Sequence, residues 1–224
     1  MTTTTSEPEV SVTSVPMTAQ DLLDQLGGVA PGRVRFNPLP GLATEADLIE
    51  VNARKQGICE LVDGILVEKA MGKLESLLAV AIIGILRDFV SPRKLGIITA
   101  PDGMMRLAPG VFRAPDIAFI ARNHIPKGPL SEKSLAEVIP DLAVEVLSPS
   151  NTKAEMALKR REYFKAGVRL VWEVDPRSKT VAVFEAPERS IVLDASMTLD
   201  GGSVLPGFAL PLGDLFAELD WQGD

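Results

Sequence analysis

Residues Pro140 to Asp175, PDLAVEVLSPSNTKAEMALKRREYFKAGVRLVWEVD, decide the fold class. They read as strand, helix, strand. Asp141 to Leu147 alternates, with Leu142, Val144 and Val146 on one face and Ala143, Glu145 and Leu147 on the other. Glu145 therefore stands in mid-strand between apolar neighbours, where a carboxylate is expensive unless something pairs with it. Ser148-Pro149-Ser150 breaks the strand, and Ser150 or Asn151 is placed to cap a helix. Along that helix Glu155, Lys159 and Tyr163 recur every four residues and share a face. Gly167 ends it, and Arg169 to Asp175, rich in Val and Trp, returns as a second strand.

Working outward, 224 residues at 46% hydrophobic composition suffice for one domain with an ample core. The single cysteine, Cys59, excludes a disulfide framework and a cysteine-based zinc site. The single histidine, His124, excludes a multi-histidine metal site, and with no carboxylate partner in view it reads as a surface residue. The longest apolar run, Leu77 to Leu86, is too short for a bilayer, so no membrane partner is expected. Without a basic segment followed by an apolar one at the N-terminus, a reducing cytoplasm is the expected compartment.

The net charge is -7, unevenly spread. Between Arg87 and Lys179 stand 16 Lys and Arg against 11 Asp and Glu, so the middle of an acidic chain is locally basic.

Upstream, residues Met1 to Val15 form a Thr/Ser-rich tail with little reason to fold. Thr18 opens a short helix ended by Gly27-Gly28. Thr44 and Asp47 have capping-box spacing for a second helix, which ends at Gly57. ICELVDGILVEKA predicts two strands joined by Asp63-Gly64, a strong hairpin signal. Lys73 to Val90 is a helix apolar nearly all round, hence expected to be buried, with Glu75 in its first turn. Strands are expected at Gly96 to Ala100, Met104 to Leu107 and Val111 to Ile120. Arg122 to Val138 reads as a loop with a short helix. Downstream, Thr180 to Glu185 pairs with the preceding strand, and the tail supplies an edge segment and a last helical turn.

Pro115-Asp116 opens the apolar run PDIAFI, about thirty residues before Glu145. Two carboxylates and a lysine in one αβ unit make up the residue set for metal-dependent phosphodiester cleavage. Oxygen ligands suit a hard cation such as Mg²⁺ without histidine. A bound cation polarises the phosphate and lowers the pKa of its water, and a lysine stabilises the charge that develops. The alternative is that Asp116 caps a turn and Glu145 forms a buried ion pair with Lys159. A two-carboxylate glycosidase is a third reading, weakened by an aromatic content of 5%.

Four stretches together resemble the Uma-two family of restriction-endonuclease-like proteins, a branch of the PD-(D/E)xK nuclease superfamily. They are CELVDGILVEKAMG, RLAPGVFRAPDIAFIAR, the opening stretch with its following proline, and VLPGFALPLGDLF. The resemblance covers most of the chain from about Thr44 onward. It implies an α/β (α+β) fold, a mixed β-sheet core flanked by helices, with an N-terminal helical and hairpin extension. Residues 1–17 are then a disordered tail and 18–224 one restriction-endonuclease-like domain. It further implies Mg²⁺ or Mn²⁺ on Asp116 and Glu145, a nucleic-acid substrate (DNA foremost) and a homodimer.

The family pattern also places a glutamate at Glu60, and Glu75 is a possible additional metal carboxylate. Where an E-x-K motif has lysine, this sequence has Leu147, and the resemblance suggests that the lysine has moved to Lys159 on the helix. Arg160 and Arg161 point to other faces. Lys159 is expected as a helix-surface residue, steadied by Glu155 with Tyr163 packed below, whose loss leaves the fold intact. The Leu147 departure supports the alternative of a catalytically inactive nucleic-acid- or protein-binding module on the same fold.

Overall fold

The structure, a computed structural model, describes residues 18–54, 57–70, 72–131 and 136–220. The expected tail at 1–17 lies outside the described residues.

Local capping starts the two N-terminal helices. Thr18 accepts from the Asp21 amide while Asp21 reaches back to the Thr18 amide, opening α1 (Ala19–Gln25). Thr44 and Asp47 repeat the arrangement at α2 (Glu45–Ala53). Between them runs a single 3-10 turn at Pro31–Arg33. The hairpin follows as β1 (Cys59–Val62) and β2 (Ile65–Glu68), turning at Asp63-Gly64 with both residues at positive φ. It is extended by two later strands, β4 (Met105–Ala108) and β5 (Val111–Arg113), into a four-stranded sheet of order β2-β1-β5-β4.

The larger sheet has six strands in the order β10-β9-β8-β7-β6-β3. Its members are β3 (Gly96–Thr99), β6 (Ile117–Ala121), β7 (Leu142–Val146), β8 (Leu170–Asp175), β9 (Thr180–Ala186) and β10 (Arg189–Asp194). Among the described residues only the β7–β8 pair is parallel, and α4 (Lys153–Ala166) makes the crossover between them. Thr152, rather than Ser150 or Asn151, caps that helix, because its side chain reaches the Glu155 amide. Asn151 instead accepts from the Ser148 amide and hydroxyl and closes the loop.

The expected single strand from Val111 to Ile120 is in fact two. Ala114-Pro115-Asp116 interrupts it, and proline can give no ladder hydrogen bond there. As a result β5 ends in the smaller sheet and β6 begins in the larger one. These three residues carry the chain across.

The long helix α3 (Lys73–Arg93) covers one face of the large sheet. Leu78, Ala79, Ile82, Leu86 and Val90 pack there with Leu142, Val144 and Trp172. It is not buried all round as expected: Leu74, Leu77 and Val80 are exposed, because the sheet covers only one side of it. The same core takes in Phe208, Leu210, Leu215 and Phe216 from the C-terminal hairpin, β11 (Thr198–Gly201) and β12 (Leu205–Pro211), and from α5 (Leu212–Ala217). On the opposite face α4 packs through Tyr163 with Ala118, Ala143 and Val171. Strand β10 forms one edge of the large sheet and leaves Ile191 and Val192 exposed. Among the described residues no helix is long and apolar enough to cross a membrane.

Candidate active site

Alternation along β7 turns Leu142 and Val144 towards α3 and leaves Ala143 and Glu145 on the face covered by α4. Ile117 of β6 is antiparallel partner to Val144, so the next register position sets Asp116 opposite Glu145. Residues directly opposite on antiparallel strands point to the same face. The two carboxylates are therefore neighbours on the face that α4 covers. Asp116 Oδ2 accepts the Val146 amide at 2.7 Å, and Oδ1 lies 2.9 Å from the Lys69 ammonium.

Lys159 descends from α4 into this cluster. Its ammonium lies 3.2 Å from Glu145 Oε1 and 3.1 Å from Glu60 Oε1, and only 2% of the residue is exposed. The expectation of a helix-surface lysine is thus corrected: α4 presents this face to both sheets, and the side chain is enclosed between two carboxylates. Glu155 does not hold Lys159 in place by pairing with it. It forms a two-pronged pair with Arg33, at 2.7 and 3.0 Å. Tyr163 does more than pack, for its hydroxyl donates to Glu145 Oε1 at 2.6 Å. Arg160 and Arg161 leave the cluster on other faces and pair with Glu173 and Glu188.

Glu60, on β1, accepts from the Ala114 amide at 3.1 Å and from Arg113 at 2.8 Å. Arg113 also reaches Glu162 of α4 at 2.6 Å. Lys69 and Arg113, with Arg33 beside them, are the cations that sequence reasoning misses. Lys69 follows β2 and Arg113 ends β5, and nothing local announces partners that lie 47 and 53 residues along the chain. Glu75 is not drawn into the group by any described contact. Its carboxylate lies over Gly72, at the N-terminus of its own helix, leaving no room for a side chain there. His124 is a surface residue as expected, but it does have a carboxylate partner: its Nδ1 lies 3.0 Å from Oδ2 of the buried Asp141.

Enclosure sets the electrostatics. Burial opposes ionisation of Glu60, but the Lys159, Arg113 and Lys69 charges outweigh it and hold this carboxyl well below the usual range. Glu145 goes the other way. Burial prevails there over the attraction of Lys159 and Lys69, Asp116 and Glu60 add like-charge repulsion, and the carboxyl is pushed up. Burial works against the Lys159 charge too, yet Glu145 and Glu60 more than compensate, and the ammonium is held protonated beyond the ordinary lysine value. Burial and both carboxylates push the Tyr163 phenol well up, so it serves as a donor.

Among the described residues no three acidic, histidine or cysteine side chains converge as an ion-binding group on their own. The donor set still fits a hard cation of the Mg²⁺ kind, which takes one or two carboxylates and completes its shell with water and phosphate oxygens. In each of Asp116 and Glu145 a fixed donor, the Val146 amide or the Tyr163 hydroxyl, orients one oxygen. The described partner of the other oxygen is a lysine ammonium, Lys69 or Lys159, on a flexible stem. Those are the two oxygens that an ion could take over.

Comparison with known proteins places this geometry. The sequence pattern of the Uma2 family, described as "Putative restriction endonuclease", matches residues 46–213. No curated protein matches the chain. Among solved structures, that described as "a putative nuclease belonging to DUF820" from Anabaena variabilis ATCC 29413 superposes with a TM-score of 0.63. Sequence identity is 21%, over 82% of this chain and 96% of that one, which speaks for a shared fold. Because the family pattern spans most of the chain, including Glu60, Asp116, Glu145 and Lys159, the protein belongs to the Uma2 family.

Proposed function

We propose that the protein is a divalent-metal-dependent nuclease that hydrolyses phosphodiester bonds of nucleic acid, DNA foremost. The observation that carries this reading is the set of Asp116 and Glu145 side by side on neighbouring strands, with the Lys159 ammonium 3.2 Å from Glu145. Mg²⁺ or Mn²⁺ bound by Asp116 and Glu145 would supply polarisation of the phosphate and a water of lowered pKa. The Val146 amide and the Tyr163 hydroxyl set the orientation of the two carboxylates. Lys159 supplies the cation for charge developing on phosphate oxygens, and in the substrate-free structure Glu60 holds it from the far side. The motif position emptied by Leu147 is thereby served from the helix.

A homodimer, each protomer addressing one strand, belongs to the same proposal, and light scattering tests it. A second reading, an inactive binding module on the same fold, is favoured by one feature. Glu60, Asp116 and Glu145 are each already paired with a buried cation. Incubating the purified protein with mixed DNA and RNA, first with Mg²⁺ and then with EDTA, separates the two. Metal-dependent cleavage supports the nuclease, and intact substrate under both conditions supports the binding module.

A further inference from the structure

The cluster lies in a seam. On one side are the four-stranded sheet and the N-terminal arm, residues 18–34, which packs on that sheet through Leu26, Val29 and Val34 against Val62, Ile65 and Val67. On the other side are the six-stranded sheet and α4. Among the described residues four ion pairs cross it, the buried Arg33–Glu155, Lys69–Asp116 and Lys159–Glu60 and the half-buried Arg113–Glu162. Thr152 adds a hydrogen bond to the Gly27 carbonyl. An apolar contact joins the two sides at β4, where Met105 and Leu107 pack with Ala118, Tyr163 and Val168. The seam is therefore greasy at one end and salt-bridged at the end where the arm meets α4.

The signs of the crossing charges are sorted. In three of the four pairs the cation belongs to the small-sheet side. Parted along the seam, that lip would carry Arg33, Lys69 and Arg113 with Glu60. The opposite lip would carry Asp116, Glu145, Glu155 and Glu162 with Lys159. One lip suits phosphates and the other suits cations. A polyanion is the natural agent to part them, because it replaces the carboxylate that each small-sheet cation gives up. No such exchange is possible across an apolar joint. Access also demands an opening: Glu60, Asp116, Glu145 and Lys159 are between 1% and 7% exposed, out of reach of a nucleic-acid strand.

Arg33 is placed to act first. Its guanidinium bridges the Glu68 carbonyl, next to Lys69, and the Glu155 carboxylate, one helical turn before Lys159. It thus buckles together the two elements that carry the cluster's lysines. We propose that the seam is the cleft through which the nucleic-acid backbone reaches the site, and that Arg33 exchanges Glu155 for a phosphate as it opens. The proposal rests on the nuclease reading and adds to it a path and a phosphate-binding lip.

The test uses the full chain, amide hydrogen exchange, and a fluorescein-labelled DNA oligonucleotide with EDTA present. Glu155→Gln should raise exchange in residues 27–34 and in the first turn of α4 while β7 and β8 are unchanged, and should tighten oligonucleotide binding. Arg33→Met should weaken binding about tenfold, the loss of one charge-assisted contact. A rise in exchange of equal proportion through the whole domain would overturn the seam, since the pair would then only support global stability. Oligonucleotide binding untouched by Arg33→Met overturns the lip assignment and leaves the nuclease reading standing. Conversely, Arg33-dependent binding with no cleavage by any form in Mg²⁺ or Mn²⁺ sinks the nuclease reading and upholds the lip.

Discussion

Lys159 and Glu60, 99 positions apart in the chain, meet at 3.1 Å with neither side chain more than 2% exposed. The ammonium is shared with Glu145, so one cation links two enclosed carboxylates from different sheets, Glu60 being paired with Arg113 as well.

Replacing Lys159 is therefore a test of stability as much as of rate. Lys159→Met keeps most of the volume but leaves the buried Glu145 without its ion-pair partner and Glu60 with Arg113 alone, at a cost of about 3–5 kcal/mol in a urea denaturation. Any phosphodiesterase rate should fall roughly a hundredfold under conditions where the variant remains folded. A variant as stable as the wild type would mean that the buried pairing is not formed in solution.

The two glutamates that flank Lys159 should respond to pH with opposite signs. Glu60 has a depressed folded value, so its contribution is full above the ordinary glutamate value of 4.5 and is lost as the pH falls below it. The raised value of Glu145 makes its contribution full on the acid side of 4.5 and lost as the pH climbs through the raised value. Urea midpoints across a pH series should show that Glu60→Gln flattens the acid fall and that Glu145→Gln removes a decline above it. Identical profiles for the two variants would contradict the assigned electrostatics.

Tyr163→Phe removes only the hydroxyl that orients Glu145. A hydrogen bond to a carboxylate of this kind contributes about 1.5–3 kcal/mol, and the thermal midpoint should drop accordingly. An unchanged midpoint would show that the hydroxyl is not bonded to Glu145.

Asp116→Asn keeps an acceptor for the Val146 amide but removes the charge that faces Lys69. Titration calorimetry with Mn²⁺ should show affinity falling about tenfold or more, at least the loss seen when a supporting partner of a metal ligand is removed. Equal affinity in the variant would place the ion elsewhere.

What the sequence reveals, and what it hides, follows the distance over which each feature is determined. The helix start at Thr18, the capping box at Thr44, the Asp63-Gly64 turn and the β7–α4–β8 unit are local patterns, and each is legible residue by residue. So is the pairing of Asp116 with Glu145 as candidates, once the family pattern is added to the alternation. The burial of Lys159 is not legible, because nothing in the periodicity of α4 says that a second sheet will close over it. Lys69 and Arg113 stay hidden for the same reason. Proline at 115 did carry a signal: it marks the break that turns one expected strand into two and moves the chain between sheets.

The edge of the large sheet has a practical consequence. Strand β10 exposes the consecutive Ile191 and Val192, one on each face, and from Ser190 to Leu193, past the bulge at Arg189/Ser190, it carries neither proline nor a charge. Natural sheets guard such margins with bulges and charges; here these stand at the two ends of the strand, and its bare middle is a template for another chain. Crowding should therefore set the ceiling on handling this protein: turbidity at high concentration would begin here, and a lysine at position 192 would make concentrated samples keep longer.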